Sequence, residues 1–167
     1  MFTTVMYKKI NFLKNASKDG GAMKEIIKNM KDNEICFHIH SQKLGRAWGA
    51  TTPSHLLSII NKNIGAYEVV CNFPHKAFFD IDCLDGTGLE AFKIIIKNHI
   101  PDAIMSISGS ETQIKNSYHI ILNNYTINNI IEKENFKQFV ISLHNEHKGF
   151  DIGVYSDNHN MKCINQS

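Results

Sequence analysis

The sequence predicts an α+β fold, and three observations carry that prediction. From Ala77 onward the hydrophobic periodicity runs strand, helix, strand, strand, helix, strand, which is the split βαβ, ferredoxin-like order. Before Ala77, a helical stretch and alternating stretches interleave, predicting an additional α/β layer that extends or flanks this sheet. No repeat, low-complexity tract or linker divides the 167 residues, a length that suits one domain with a proper core. One domain over 1–167 is therefore expected, with an N-terminal α/β part over 1–76 and the split βαβ core over 77–167.

The elements follow in order. Gly20-Gly21 precedes a helix on which Met23, Ile26, Ile27 and Met30 fall at helical spacing, while Lys24, Lys28 and Lys31 form a solvated face. Ile35, Phe37 and Ile39 alternate with Cys36, His38 and His40, which predicts a strand with a half-exposed histidine face. Those two histidines have no Cys or carboxylate partner at metal-binding spacing. Thr52-Pro53 supplies a capping hydroxyl and a Pro at the first helical position, leading into Leu56, Leu57 and Ile60. Tyr67 to Cys71 reads as a short strand and Ala77 to Cys83 as a longer one. Asp85-Gly86-Thr87 turns into a helix bearing Phe92, Ile95 and Ile96, which ends near Pro101.

Ala103 to Ser108 is the next strand, and Ser108-Gly109-Ser110 begins a polar connection to the strand Asn116–Leu122. A helix is expected over Ile127 to His147, with Ile130, Phe136, Val140 and Leu143 buried. Phe150 to Tyr155 reads as the last core strand, and a turn at Asp157-Asn158 leads into a final extended piece.

Composition narrows the classes. At 43% hydrophobic and 20% charged the chain is ordinary for a globular domain. Its longest apolar run, Ile94-Ile95-Ile96, is far too short for a membrane span, so no membrane partner is expected. The first ten residues carry no signal-peptide pattern. Cys36, Cys71, Cys83 and Cys163 form no C-x-x-C pair, which argues against a cysteine zinc site and for reduced thiols in an intracellular protein. A formal charge of +2 does not by itself argue nucleic-acid binding.

The chemistry concentrates at Phe78-Phe79-Asp80-Ile81-Asp82-Cys83. In a strand Asp80 and Asp82 emerge on one face while Phe79, Ile81 and Cys83 turn to the core. Carboxylates forced together raise each other's pKa, and a hard divalent cation relieves the conflict. The split βαβ order makes the Asn116–Leu122 and Phe150–Tyr155 strands the neighbours of this one. Ser117 and His119 then share a face, as do Asp151, Gly153 and Tyr155, with Ile152 and Val154 buried. Asp80, Asp82 and Asp151 converge, with Ser117 and His119 beside them. Three carboxylates can hold two divalent ions for an in-line phosphoryl displacement. A hydroxyl or imidazole beside them can donate hydrogen bonds to a triphosphate tail.

At these residues the chain resembles the archaeo-eukaryotic primases. Phe78–Asp82 (F-F-D-I-D), Asn116–Leu122 (N-S-Y-H-I-I-L) and Phe150–Lys162 (F-D-I-G-V-Y-S-D-N-H-N-M-K) are similar to that family's three catalytic motifs. The likeness is greatest to its primase-polymerase branch and to the primase domains of large DNA viruses. It extends upstream through Tyr67–Val70 to Gly45-Arg46-Ala47-Trp48.

The resemblance implies an archaeo-eukaryotic primase fold with an RRM-like catalytic core. It implies Asp80, Asp82 and Asp151 as ligands of Mg²⁺ or Mn²⁺ in a two-metal site, and Ser117, His119 and Lys115 as contacts to the incoming nucleotide. It also implies Lys162 as a contact to the nucleotide's phosphates; Lys162 falls where relatives carry Arg, and a lysine lacks the bidentate fork of a guanidinium. Arg46 with Trp48 is either a template or base contact or a simple edge-strand feature.

The implied activity is nucleotidyl transfer, joining nucleoside triphosphates on a single-stranded DNA template. A helicase region or subunit is an expected partner, and host cytoplasm or nucleus the location if the source is viral. The absence of a cysteine-rich module after the third motif matches an excised or minimal catalytic domain. Two alternatives stay open: a non-catalytic RRM-like nucleic-acid-binding module, and a Mn²⁺-dependent D-x-D glycosyltransferase. The first expects sheet-face aromatics where this chain has carboxylates. The second gives no joint role to Ser117, His119 and Asp151. His119 also has a structural reading as a backbone-bonded core histidine, and Asp151 one as a surface carboxylate.

Overall fold

The computed structural model describes residues 2–7, 10–15, 21–41, 45–59, 65–70, 74–112, 114–155 and 159–162. Over them run β1 (Phe2–Tyr7), β2 (Ile10–Asn15), α1 (Ala22–Asn29), β3 (Ile35–Ser41), β4 (Gly45–Thr51), α2 (Pro53–Ile59) and β5 (Gly65–Val70). Then follow β6 (His75–Cys83), α3 (Leu89–His99), β7 (Met105–Glu111), β8 (Asn116–Ile127), α4 (Ile130–Glu146) and β9 (His159–Lys162). The fold is α+β. Two compact units divide it, residues 1–71 with 157–167, and residues 72–156. No helix among the described residues is long and apolar enough to cross a membrane.

The first unit is built on an antiparallel sheet of order β1-β2-β4-β3-β5-β9. The hairpin β1–β2 was not foreseen, and the final extended piece is an edge strand of this sheet beside β5. The Asp157-Asn158 turn and Ile60 lie outside the described residues. Helix α2 begins as expected, with the His55 N–H donating to Thr52 Oγ1 at 3.3 Å. The histidine face of β3 differs from expectation: Cys36 and His38 are buried, and only His40 is exposed. The cause is a cross-strand row, in which His38 pairs with Trp48 on one side and Tyr67 on the other. Its ring stacks on Tyr67 at 4.6 Å and tilts against Trp48 at 5.8 Å.

The second unit holds an antiparallel sheet of order β6-β8-β7. Its core forms where the odd-numbered residues of β6 and the even-numbered ones of β8 meet α3 and α4: Phe79, Ile81, Phe92, Ile96, Ile120, Leu122 and Leu143 are all buried. Phe79 sits at its centre, 5.4 Å from the Phe136 ring and 5.6 Å from that of Phe150. Ser108, Gly109 and Ser110, expected in a connection, belong to β7. Gly109 faces Tyr118 of β8, and a Cβ there would stand 2.3 Å from the Ser117 carbonyl oxygen.

Strand β8 runs on to Ile127, so α4 starts three residues later than the sequence suggested. Its start is a capping box: the Glu132 N–H donates to Asn129 Oδ1 at 3.0 Å, and the Glu132 carboxylate reaches back to the Asn128 N–H at 2.8 Å. Ile130, placed on the first turn, is exposed rather than buried, Phe136 is half-buried, and Val140 and Leu143 are buried.

The expected strand Phe150–Tyr155 is mostly not one. It forms a single antiparallel bridge, Phe150 with Ile81, and then tightens into a 3-10 turn over Gly153–Tyr155. Two bonds flank the bridge: the Asp82 N–H donates to the Gly149 carbonyl at 2.8 Å, and the Asp151 N–H to the Asp80 carbonyl at 2.9 Å. Beyond Asp151 the strand parity fails, so Ile152 is exposed and Tyr155 buried. Residues 149–151 nonetheless border β6 on the edge away from β8, an arrangement compatible with a ferredoxin-like order.

Candidate active site on the three-stranded sheet

The alternation of β6 sets the site. Asp80 and Asp82 are half-buried on one face, while Phe79, Ile81 and Cys83 are buried on the other. Antiparallel register places His119 opposite Asp80 and Ser117 opposite Asp82. The next strand continues both rows, with Ser108 opposite His119 and Ser110 opposite Ser117. Each row thus runs from a carboxylate on β6, through a donor on β8, to an exposed hydroxyl on β7.

Both carboxylates have a basic side chain against them. Lys115 Nζ lies 2.7 Å from Asp82 Oδ2, and His119 Nε2 lies 3.3 Å from Asp80 Oδ1. Asp151 turns its Oδ1 to the Gly153 N–H at 2.8 Å, the contact that starts the 3-10 turn. Burial pushes Asp80 up to about 6; His119 opposes this, the nearby charges of Asp82 and Asp151 add to it, and Lys115 opposes it again. Both neighbouring carboxylates therefore act on Asp80.

Behind the site Tyr155 is buried, and its hydroxyl donates to the Phe78 carbonyl at 2.5 Å. Burial raises its hydroxyl far above the ordinary range, and the charges of Asp80 and Asp151 raise it further. Phe150 is tied to α4, with His144 Nδ1 2.7 Å from its carbonyl. Just past the end of β6, Asp85 accepts from Cys83 Sγ at 2.6 Å and the Thr87 N–H at 2.9 Å across Gly86, whose φ is +81°. The Cys83 bond first, then those from Thr87, hold Asp85 down at about 2.

Six of the residues singled out from sequence, Asp80, Asp82, Lys115, Ser117, His119 and Asp151, lie together in the second unit. Arg46 and Lys162 belong to the first. Arg46 is exposed on β4 opposite His40, two residues from Trp48; Lys162 pairs with Tyr67 at the sheet edge. Ser108 and Ser110 were missed as members of the polar face, although their S-x-S spacing has the strand period. Among the described residues, no three His, Cys, Asp or Glu side chains are gathered tightly enough to hold a metal ion as they stand. The donor chemistry does suit a hard cation: carboxylate oxygens from β6 and from the adjoining 149–151 segment.

The chain matches no protein-family model and no curated protein sequence.

Proposed function

We propose that this chain is the catalytic domain of a primase-polymerase with an RRM-like core, joining nucleoside triphosphates on a single-stranded DNA template. One observation carries the reading. Asp80 and Asp82 share the open face of β6, with phosphate-binding donors in register on one side and Asp151 hydrogen-bonded to the same strand on the other. Asp80, Asp82 and Asp151 would hold Mg²⁺ or Mn²⁺. When bound, such ions lower the pKa of an attacking 3′-hydroxyl and neutralise a departing pyrophosphate.

The chain's own groups do the rest by position and charge. Ser117, His119 and Lys115 orient the triphosphate by donating to its oxygens. The 149–151 segment brings a third carboxylate beside Asp80, which favours an occupied over an empty cation site. In the first unit, exposed Arg46 near the Trp48–His38–Tyr67 row suits contact with unstacked bases of the template. That row also favours the second reading, a nucleic-acid-binding module without catalysis. Its weakness is the acidic face of the other sheet, which repels a phosphate backbone unless a cation intervenes.

Primer synthesis on single-stranded DNA with labelled nucleotides and Mg²⁺ or Mn²⁺ tests the reading. The wild type should make product, and Asp80→Ala and Asp151→Ala should not. Full activity in either variant would sink the metal assignment. Metal-independent DNA binding with no synthesis would favour the binding module, and hydrolysis or transfer from a nucleotide sugar would favour a glycosyltransferase.

A further inference from the structure

We infer that Lys115 and His119 are exchangeable internal partners of the aspartates: a divalent cation takes Asp82 and Asp80 from them, and the freed donors then capture a polyphosphate. The inference rests on reading those aspartates as metal ligands, and it adds how metal loading and nucleotide capture are coupled.

His119 lies on the same face of β8 as Ser117, Lys115 sits in the turn just before β8, and each already faces one carboxylate, at 3.3 Å and 2.7 Å. While these contacts last, an arriving polyphosphate meets three carboxylates and two occupied donors. Repulsion dominates, and capture is poor. The Lys115 contact is nevertheless easy to give up. In the Lys115–Asp82 pair the side chains are 43% and 39% exposed, and solvent-exposed ion pairs contribute little. The lysine charge sits on a flexible four-carbon stem that can swing to another anion.

A Mg²⁺ ion would offer a double charge at about 2.0–2.1 Å from carboxylate oxygens, closer than Lys115 Nζ or His119 Nε2 stands. It therefore wins the aspartates. An ammonium and an imidazole are left unpaired beside the Ser117 hydroxyl, three donors suited to phosphate oxygens. By linkage the effect is reciprocal: polyphosphate that draws Lys115 away strengthens metal binding by the same factor.

The test is a double-mutant cycle on the full chain at fixed pH, with tripolyphosphate as probe in EDTA and Mn²⁺ binding read by the resonance of the free ion. Asp82→Asn should bind tripolyphosphate about three- to tenfold more tightly than wild type in EDTA, because Lys115 is released. In a Lys115→Met background the same substitution should give little gain. Lys115→Met alone should bind Mn²⁺ about three- to tenfold more tightly without polyphosphate and should lose most of the enhancement that polyphosphate brings. Lys115→Gln repeats the cycle should the methionine variant fold poorly.

An equal gain from Asp82→Asn in both backgrounds would mean simple loss of negative charge and would overturn the exchange while leaving the metal site standing. A wild type that binds neither Mn²⁺ nor tripolyphosphate would overturn both.

Discussion

The two edges of β6 are built differently. Toward β8 the register is continuous from His75–Ile127 to Cys83–Asn116, broken only by an irregularity at Lys76/Ala77. Toward residues 149–151 there is one bridge, Ile81 with Phe150, and a hydrogen bond on each side of it. The positions of Ser117 and His119 are thus inherited from a long ladder that moves only if the sheet unfolds. Asp151 is held by local contacts: its own N–H, the packing of Phe150 against Phe79 and Phe92, and the His144 contact. The difference teaches that the donor half of the site shares the stability of the domain, whereas the third carboxylate can be shifted on its own.

The largest expected effect comes from removing one carboxylate at each edge. Asp80→Ala and Asp151→Ala should each reduce primer synthesis about 100-fold or more, the scale of losing a main electrostatic group. Thermal melts should show both variants folded.

The next effect is a pH dependence of stability. Asp80 is raised to about 6 in the fold, against 3.8 for the ordinary carboxyl. The folded state therefore binds the extra proton between about pH 4 and 6, so stability falls as pH rises through that window and levels off above it. The loss is at most about 3 kcal/mol, with the side chain only 16% exposed. Urea unfolding of the wild type and Asp80→Asn at pH 4 and 7 measures it. Identical profiles for the two proteins would show that Asp80 is not held above its ordinary range.

Two glycines separate the edges more sharply. At Gly149 a Cβ would stand 2.5 Å from Cζ of buried Phe92, and at Gly109 it would stand 2.3 Å from the Ser117 carbonyl oxygen. Each Gly→Ala change should destabilise by about 1–3 kcal/mol. Gly149→Ala should selectively speed amide exchange at Asp82 and Asp151 and lower activity beyond its loss of stability. Gly109→Ala presses on the backbone of β8, so exchange should rise across the whole sheet. Similar exchange patterns in the two variants would erase the distinction between the edges.

The smallest effect is that of Tyr155→Phe, which removes the hydroxyl bonded to the Phe78 carbonyl. The change should cost about 1 kcal/mol in chemical denaturation and leave the β8 edge untouched.

Much of the candidate site was legible because it follows from parity. Asp80 with Asp82, and Ser117 with His119, share faces in any extended strand, and the βαββα order suffices to make β6 and β8 neighbours. The same logic failed at residues 150–155, where the Asp151 carboxylate captures the Gly153 N–H and turns the chain before a second strand can form. It failed at His38 because the burial of a strand face depends on what packs against it; Trp48 and Tyr67 flank that ring from strands ten and twenty-nine residues away in sequence. The first turn of α4 was misjudged for a different reason. Its Asn129–Glu132 capping box was present in the sequence, but the apolar periodicity through Ile127 and Ile130 drew the helix start too early.

By itself, then, the sequence determined the α+β class, the carboxylate pair on one strand face and the donor pair on another, since the two-residue period of a strand is local backbone geometry. Tertiary structure alone decided that Lys115 closes on Asp82, that His119 meets Asp80, and that Asp151 reaches the site through a single bridge. Those are encounters between distant segments, and they depend on register, packing and charge that no local period encodes.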